Sequence, residues 1–258
     1  VYHRPGPTLL LFFLYGTGVK DTLGNEGIIL NRKKLRRLTL TDQKLAILWD
    51  MDGTIIDSTD CHYSTWKHAL EKYGFDLDRH IYKENFGRNN RALLPLLLGF
   101  TPKQDLYKKI TSEKESLFRE LAPQEASLVP GVKNWLAEAK KEHIPQAVAS
   151  SASMRNISSL MRSFDLLEYF DFFLSGADLP AKPEPIVFLE AAKVLDRTPE
   201  QCLVIEDSLP GIMAAKRAGM TCIAVATTQP KHELTVADMV VDDFSKPLLD
   251  VLSEMGLH

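Results

Sequence analysis

The chain predicts an α/β fold with a doubly wound, mainly parallel sheet, and three observations lead there. Short, almost wholly apolar runs at residues 45–49 and 202–205 have the length and saturation of strands buried on both faces. Stretches with helical periodicity follow such runs, among them Val132, Trp135, Leu136 and Ala139, and residues 210–218 before Gly219. The runs also end abruptly in polar residues, Asp50-Met51-Asp52-Gly53-Thr54 and Glu206-Asp207-Ser208. In an open α/β sheet the carboxyl ends of the strands are where ligands bind.

The 258 residues suffice for one large domain with a smaller insertion. Hydrophobic residues make up 45% and charged residues 25%, values of an ordinary globular chain. A formal net charge of −3 gives no basic footprint for nucleic acid. The longest apolar run, residues 9–15, is far short of a membrane span. Cys61, Cys202 and Cys222 form no C-x-x-C pair, which argues against a disulfide framework or zinc site and for a cytoplasmic setting. Residues 1–43 read as a poorly ordered extension: the charge of Arg32-Lys33-Lys34 and Arg36-Arg37 follows the greasy run, whereas a secretory signal would place it before.

Taken in order, residues 45–49 form the first strand and deliver Asp50 and Asp52 to its tip. Two carboxylates there are costly unless something pairs with them. Gly53 lets the backbone turn, so that nearby amides can face an anion. Residues 144–149 form a second short apolar stretch, interrupted by Pro145 and Gln146, that ends in Ser150-Ser151. Lys182 follows in a proline-rigid loop, Ala181-Lys182-Pro183-Glu184-Pro185, before a helical run at 186–195. The strand at 202–205 then ends in Glu206-Asp207. Oxygen ligands for a hard cation, with an ammonium and a hydroxyl for phosphate oxygens, match a Mg²⁺-assisted phosphoryl site.

Asp50-x-Asp52-Gly53-Thr54, Ser150, Lys182 and Glu206-Asp207, spaced 100, 32 and 24 residues apart, resemble in order the four motifs of the haloacid dehalogenase superfamily. The resemblance is to the subgroup of β-phosphoglucomutase and small sugar-phosphate phosphatases, and it covers residues 44–258. It implies a Rossmann-like core at 44–57 and 129–258 with a helical cap at 58–128. It also implies a Mg²⁺-dependent phosphatase of a small phosphorylated metabolite, a sugar phosphate in class, working through an aspartyl-phosphate. A phosphosugar mutase is the alternative, and a non-catalytic regulatory protein on the same fold is the lesser one. Asp50 would be the nucleophile. Asp52 would be the general acid and base, its pKa raised by Asp50 and Glu206. Mg²⁺ would be held by Asp50, the Asp52 carbonyl and Asp207, with Glu206 as a further ligand or an acid behind them. Phosphate would be bound by Asp50, Met51, Asp52, Ser150, Ser151 and Lys182. One departure is Ile186, where the subgroup has an acid, which leaves the geometry of Lys182 less securely braced. A monomer without nucleic-acid or membrane partners completes the expectation.

In the cap, Trp66, Ala69, Leu70 and Tyr73 form a helical stripe, and residues 102–121 read as a longer helix. His62, twelve residues after the nucleophile, matches a cap histidine of the mutase-like subgroup; a structural partner of Trp66 is the plainer reading. Arg88 and Arg91 fall in the substrate-facing loop, but the mutase's arginine position is Asn90 here. The mutase's cap lysine falls at Ser112, with Lys114 two places off. A mutase must grip a second phosphate with such cations, so the unmatched positions favour hydrolysis.

Overall fold

The computed structural model describes residues 45–257 and, ahead of them, two short strands, β1 (Phe12–Phe13) and β2 (Ile28–Leu30). The rest of the extension read at residues 1–43 lies outside the described residues. Two-residue strands β4 (Ile56–Asp57) and β5 (Ser127–Leu128) pair antiparallel. The main sheet comprises β3 (Ala46–Trp49), β6 (Gln146–Ser150), β7 (Phe172–Ser175), β8 (Cys202–Glu206), β9 (Thr221–Val225) and β10 (Met239–Val241). These six run parallel in the order β7-β6-β3-β8-β9-β10. Strand β2 adds antiparallel to β7, and β1 parallel to β2.

The two faces of the sheet differ in their mix of side-chain sizes. Along β3 the residues alternate between two apolar clusters, Ile47 and Trp49 in one, Ala46 and Leu48 in the other. Val148, Leu203, Ile205, Ile223 and Val225 share the bulky face; Ala147, Ala149, Cys202, Cys222 and Ala224, interspersed with Phe172, Leu174 and Val204, share the one richer in small residues, called the small face. The bulky face is covered by helices α5 (Val132–Lys141), α6 (Met154–Ser163) and α9 (Leu248–Glu254), through residues such as Trp135, Leu160 and Val251. The small face takes α7 (Ile186–Val194) and α8 (Leu209–Arg217), through Phe188, Ala191, Ile212 and Ala215. The sheet is therefore wound on both faces, as expected. Gln146, which interrupted the apolar pattern in the sequence, is buried and satisfied. It accepts from the Trp49 indole at 3.1 Å and donates to the Leu136 carbonyl at 3.0 Å.

Between β4 and β5 the chain is helical: α1 (Thr59–Glu71), α2 (Arg79–Glu84), α3 (Asn90–Leu98) and α4 (Gln104–Glu125). Trp66, Ala69, Leu70, Tyr82, Phe86, Leu93, Leu94, Leu97 and Ile110 form an apolar cluster separate from the two on the sheet. This insertion is called the cap below. Helix α4 begins two residues later and ends four residues beyond the 102–121 stretch read from the sequence, running through Pro123. Burial of Phe118 and Ala122 against the core cluster holds that last segment in helix. Among the described residues no helix is long and apolar enough to cross a membrane.

Candidate active site

Strand β3 lies between β6 and β8, so the strand tips bearing Asp50, Ser150 and Glu206 are neighbours. Asp50 is buried, and its Oδ1 accepts from Lys182 Nζ at 2.5 Å. The same ammonium donates to Glu206 Oε1 at 2.7 Å and lies over the Phe188 ring. Glu206 Oε2 takes the Asp207 amide, the Ser208 amide and the Ser208 hydroxyl. Glu206 thus both anchors Lys182 and closes the turn into α8. A Cβ on Gly211 would fall 1.6 Å from its carboxylate, so only glycine fits there. Asp207 accepts from Thr54 Oγ1 at 2.9 Å and Thr228 Oγ1 at 2.6 Å. Gly53, at φ +88°, keeps the first turn clear of Asp207.

Burial and the neighbouring Glu206 hold Asp50 up at about 7 against the pull of Lys182. Burial, Glu206 and Asp50 also push Asp207 well above the ordinary carboxylate range. Asp50, Glu206 and Asp207 each bring a carboxylate oxygen within 4.8 Å of the others. Three buried hard-oxygen donors with one ammonium beside them make a set that suits a hard divalent cation.

Asp52 corrects one expectation. Its Oδ1 accepts from Ser58 Oγ at 2.6 Å and lies 3.1 Å from His62 Nε2. Burial acts to raise its pKa, but His62, Ser58 and the charge of Lys114 override that and hold it below the usual value. The sequence reading had it raised by Asp50 and Glu206; the carboxylate instead engages α1 of the cap. His62 stacks on Phe118 at 3.9 Å, and burial and Lys114 push it below its ordinary value against the attraction of Asp52.

The strand tips and the cap enclose a cavity of about 160 Å³. Asp50, Asp52, Ser150 and Ser151 line it from the core; His62, Arg88, Asn90, Lys114 and Glu115 line it from the cap. Ser150 is buried, and its Oγ accepts from the Ala152 amide. The hydroxyl of Ser151 donates to the Gly87 carbonyl at 2.7 Å, so it ties core to cap and leaves its backbone for any anion. The side chain of Met51 is packed in the core and its carbonyl takes the Ile55 and Ile56 amides, so only its own amide could serve a phosphate. Arg88 lines the cavity but donates to the Lys182 carbonyl at 3.3 Å. With Arg217 donating to the Pro183 carbonyl at 3.1 Å, it braces the lysine loop that lacks the acid at Ile186. Arg91 is exposed and not part of the cavity lining, because helix α3 turns it outward.

Lys114 overturns the reading that the cap lysine is absent. It is buried, lines the cavity, and sits over the rings of Trp66 and Phe118, whereas Ser112 is exposed. Its Nζ donates to Glu115 Oε1 at 2.9 Å. Glu115 also accepts from Asn90 at 2.7 Å and, through Oε2, from Asn156. Burial opposes ionisation of Glu115, yet Lys114 and Asn90 push it down to about 2.

Asn89 was not singled out in the sequence. It is buried, caps α3 by accepting from the Ala92 amide, and donates to the Gly176 and Leu179 carbonyls of the core, each at 3.0 Å. Asn89→Ala is expected to cost about 1–3 kcal/mol, from a lost helix cap and orphaned carbonyls. Denaturant unfolding checks the stability, and limited proteolysis should cleave the cap faster than in the parent protein.

Fold and site together define an α/β enzyme organised around a buried carboxylate at the centre of its sheet. Residues 47–225 match the model of the haloacid dehalogenase-like hydrolases, and the chain belongs to that family. It is 32% identical to the β-phosphoglucomutase of Bacillus subtilis over 219 residues, 81% of this chain and 94% of that one. It is 30% identical to the phosphorylated carbohydrates phosphatase of Thermotoga maritima over 217 residues, covering 81% and 99%. Among solved structures it resembles a variant of CbbY from Rhodobacter sphaeroides in complex with xylulose 1,5-bisphosphate. That match has a TM-score of 0.70 and 29% identity, over 78% of this chain and 95% of that one.

Proposed function

We propose that the chain is a Mg²⁺-dependent phosphatase that releases phosphate from a small phosphorylated metabolite, a sugar phosphate in class, through an aspartyl-phosphate on Asp50. The observation that carries this reading is the buried Asp50 carboxylate, with Lys182 on one of its oxygens and Asp207 alongside. Mg²⁺ held by Asp50, Asp207 and the Asp52 carbonyl would neutralise phosphoryl oxygens, and Glu206 would brace Lys182. An Asp50 carboxylate oxygen attacks phosphorus as the bond from phosphorus to the leaving oxygen breaks. Lys182 and Ser150 hold the phosphoryl oxygens.

The leaving alkoxide needs a proton, which Asp52 supplies. Asp52 is ionised while its partners are only Ser58, His62 and Lys114. A phosphate dianion beside it favours the protonated form by like-charge repulsion. The Asp52 carboxylate then takes a proton from water as that water attacks phosphorus and the bond to Asp50 breaks. Asp52→Asn is expected to lower turnover by about 10²–10⁴-fold, the range for an acid–base group. Phosphate release from a sugar phosphate with a poor leaving group measures it, and a loss below threefold removes Asp52 from the role.

The buried Lys114 favours a second reading, a phosphosugar mutase, since a cation there could hold another phosphate. Against it, the Asn90 amide is bonded to Glu115 and Glu115 is bonded to Lys114. Supplying β-glucose 1-phosphate with Mg²⁺ decides between them. Free phosphate supports the phosphatase; glucose 6-phosphate without free phosphate supports the mutase.

A further inference from the structure

Lys114, one of the two cations that line the cavity from the cap, is charge-compensated by Glu115. Lys114 and Glu115 form an ion pair whose side chains are 2% and 16% exposed. Both Glu115 oxygens are engaged, Oε1 by Lys114 and Asn90, Oε2 by Asn156 with Arg119 at 4.0 Å. No rearrangement of Lys114 alone frees it for an anion, because its neighbour in the helix is a fixed carboxylate pinned from three other residues. A second anionic group reaching Lys114 would lie against Glu115 as well, and the repulsion between charges so largely buried is only weakly screened. The other lining charges outside the strand tips are Asp178 at the exposed rim and Arg88, which keeps its positive charge while one guanidinium nitrogen donates to the Lys182 carbonyl, so Glu115 is the carboxylate set directly against Lys114.

We propose that Glu115 makes this cavity selective for phosphate monoesters of uncharged alcohols, rejecting substrates with a second phosphate or a carboxylate. The proposal rests on the phosphatase reading for its substrate class. It assigns a discriminating role to a residue in whose place a purely cationic cap would accept the second charge. Specificity of this kind comes from a repulsive element as much as from an attractive one.

Sorbitol 6-phosphate and 6-phosphogluconate test it, since they differ at the far end by a hydroxymethyl group against a carboxylate. The expected result is a kcat/KM at least tenfold higher for sorbitol 6-phosphate in the parent enzyme with Mg²⁺. Glu115→Gln should shrink that ratio at least fivefold, and the ratio cancels any general loss of activity. Glu115→Ala stands in where the glutamine variant does not fold. A parent ratio below tenfold, or a smaller change in the ratio in a folded variant, overturns the proposal. Calorimetric Kd values of the two esters on Asp50→Asn protein give the same ratio without turnover. Failure to hydrolyse either ester or 4-nitrophenyl phosphate would instead count against the phosphatase reading, while the Kd ratio still decides the role of Glu115.

Discussion

Asp50→Asn protein is expected to fold like the parent and to lose turnover by about 10⁴-fold or more. The amide keeps the shape of the carboxylate, and its oxygen can still accept from Lys182 Nζ, so the contacts around β3 survive. What disappears is the nucleophile and one of the negative charges offered to a divalent cation. The fold should tolerate the change, because the charged form of Asp50 is itself disfavoured there: burial and Glu206 hold its pKa at about 7. A neutral side chain at that position relieves repulsion among three buried carboxylates. The melting temperature should therefore stay within a few degrees of the parent value or rise. Phosphate release together with a thermal melt checks both halves. Activity within a hundredfold of the parent would remove Asp50 as nucleophile, and loss of the folded state would make it a structural acid.

The core of the site was legible because strand ends in a parallel sheet carry chemistry in short, contiguous strings. Asp50 and Asp52, Ser150 and Glu206-Asp207 each terminate an apolar run, and adjacency of β6, β3 and β8 brings these tips together. The environment of those residues was less legible. Asp52 was judged by its neighbours in sequence and at the strand tips, yet its carboxylate engages Ser58 and His62. The cap was harder still, since each residue of a helix turns the side chain by about 100°. An error of two positions rotates a side chain by about 200°, which separates exposed Ser112 from buried Lys114. The spacing held a clue, since Lys114 and Phe118 lie four apart on one face of α4; only the fold shows that face stacking Phe118 on His62. Thr54 was legible only as the last residue of the first motif, and Thr228 and Asn89 gave no signal. A lone threonine or asparagine in a loop has many uses, and only the fold shows Thr54 and Thr228 bonded to Asp207.

Lys182→Met should be damaging to stability as well as to chemistry. The ammonium is 1% exposed and is the shared partner of Asp50 and Glu206. Burial alone would make Lys182 easier to deprotonate, but the two carboxylates reverse this and raise its pKa, so it stays charged. Methionine has a similar length and can keep the contact with Phe188, so little of the effect is a cavity. It leaves Asp50, Glu206 and Asp207 together without a cation. Removing one partner of a buried ion pair costs about 3–5 kcal/mol, because the remaining charge is uncompensated. Part of that cost is escaped by protonation, with Asp50 and Asp207 driven further up and the carboxylate nucleophile lost. Turnover should fall by about 10²–10³-fold at least, the usual loss for a group that stabilises developing charge. Added Mg²⁺ should raise the melting temperature of Lys182→Met more than that of the parent, since an ion bound only by the folded state restores positive charge among the acids. Melts with and without Mg²⁺, beside phosphate-release assays, give all three readings. A variant melting within about 2 °C of the parent, with activity within tenfold, would mean that the three acids do not depend on Lys182.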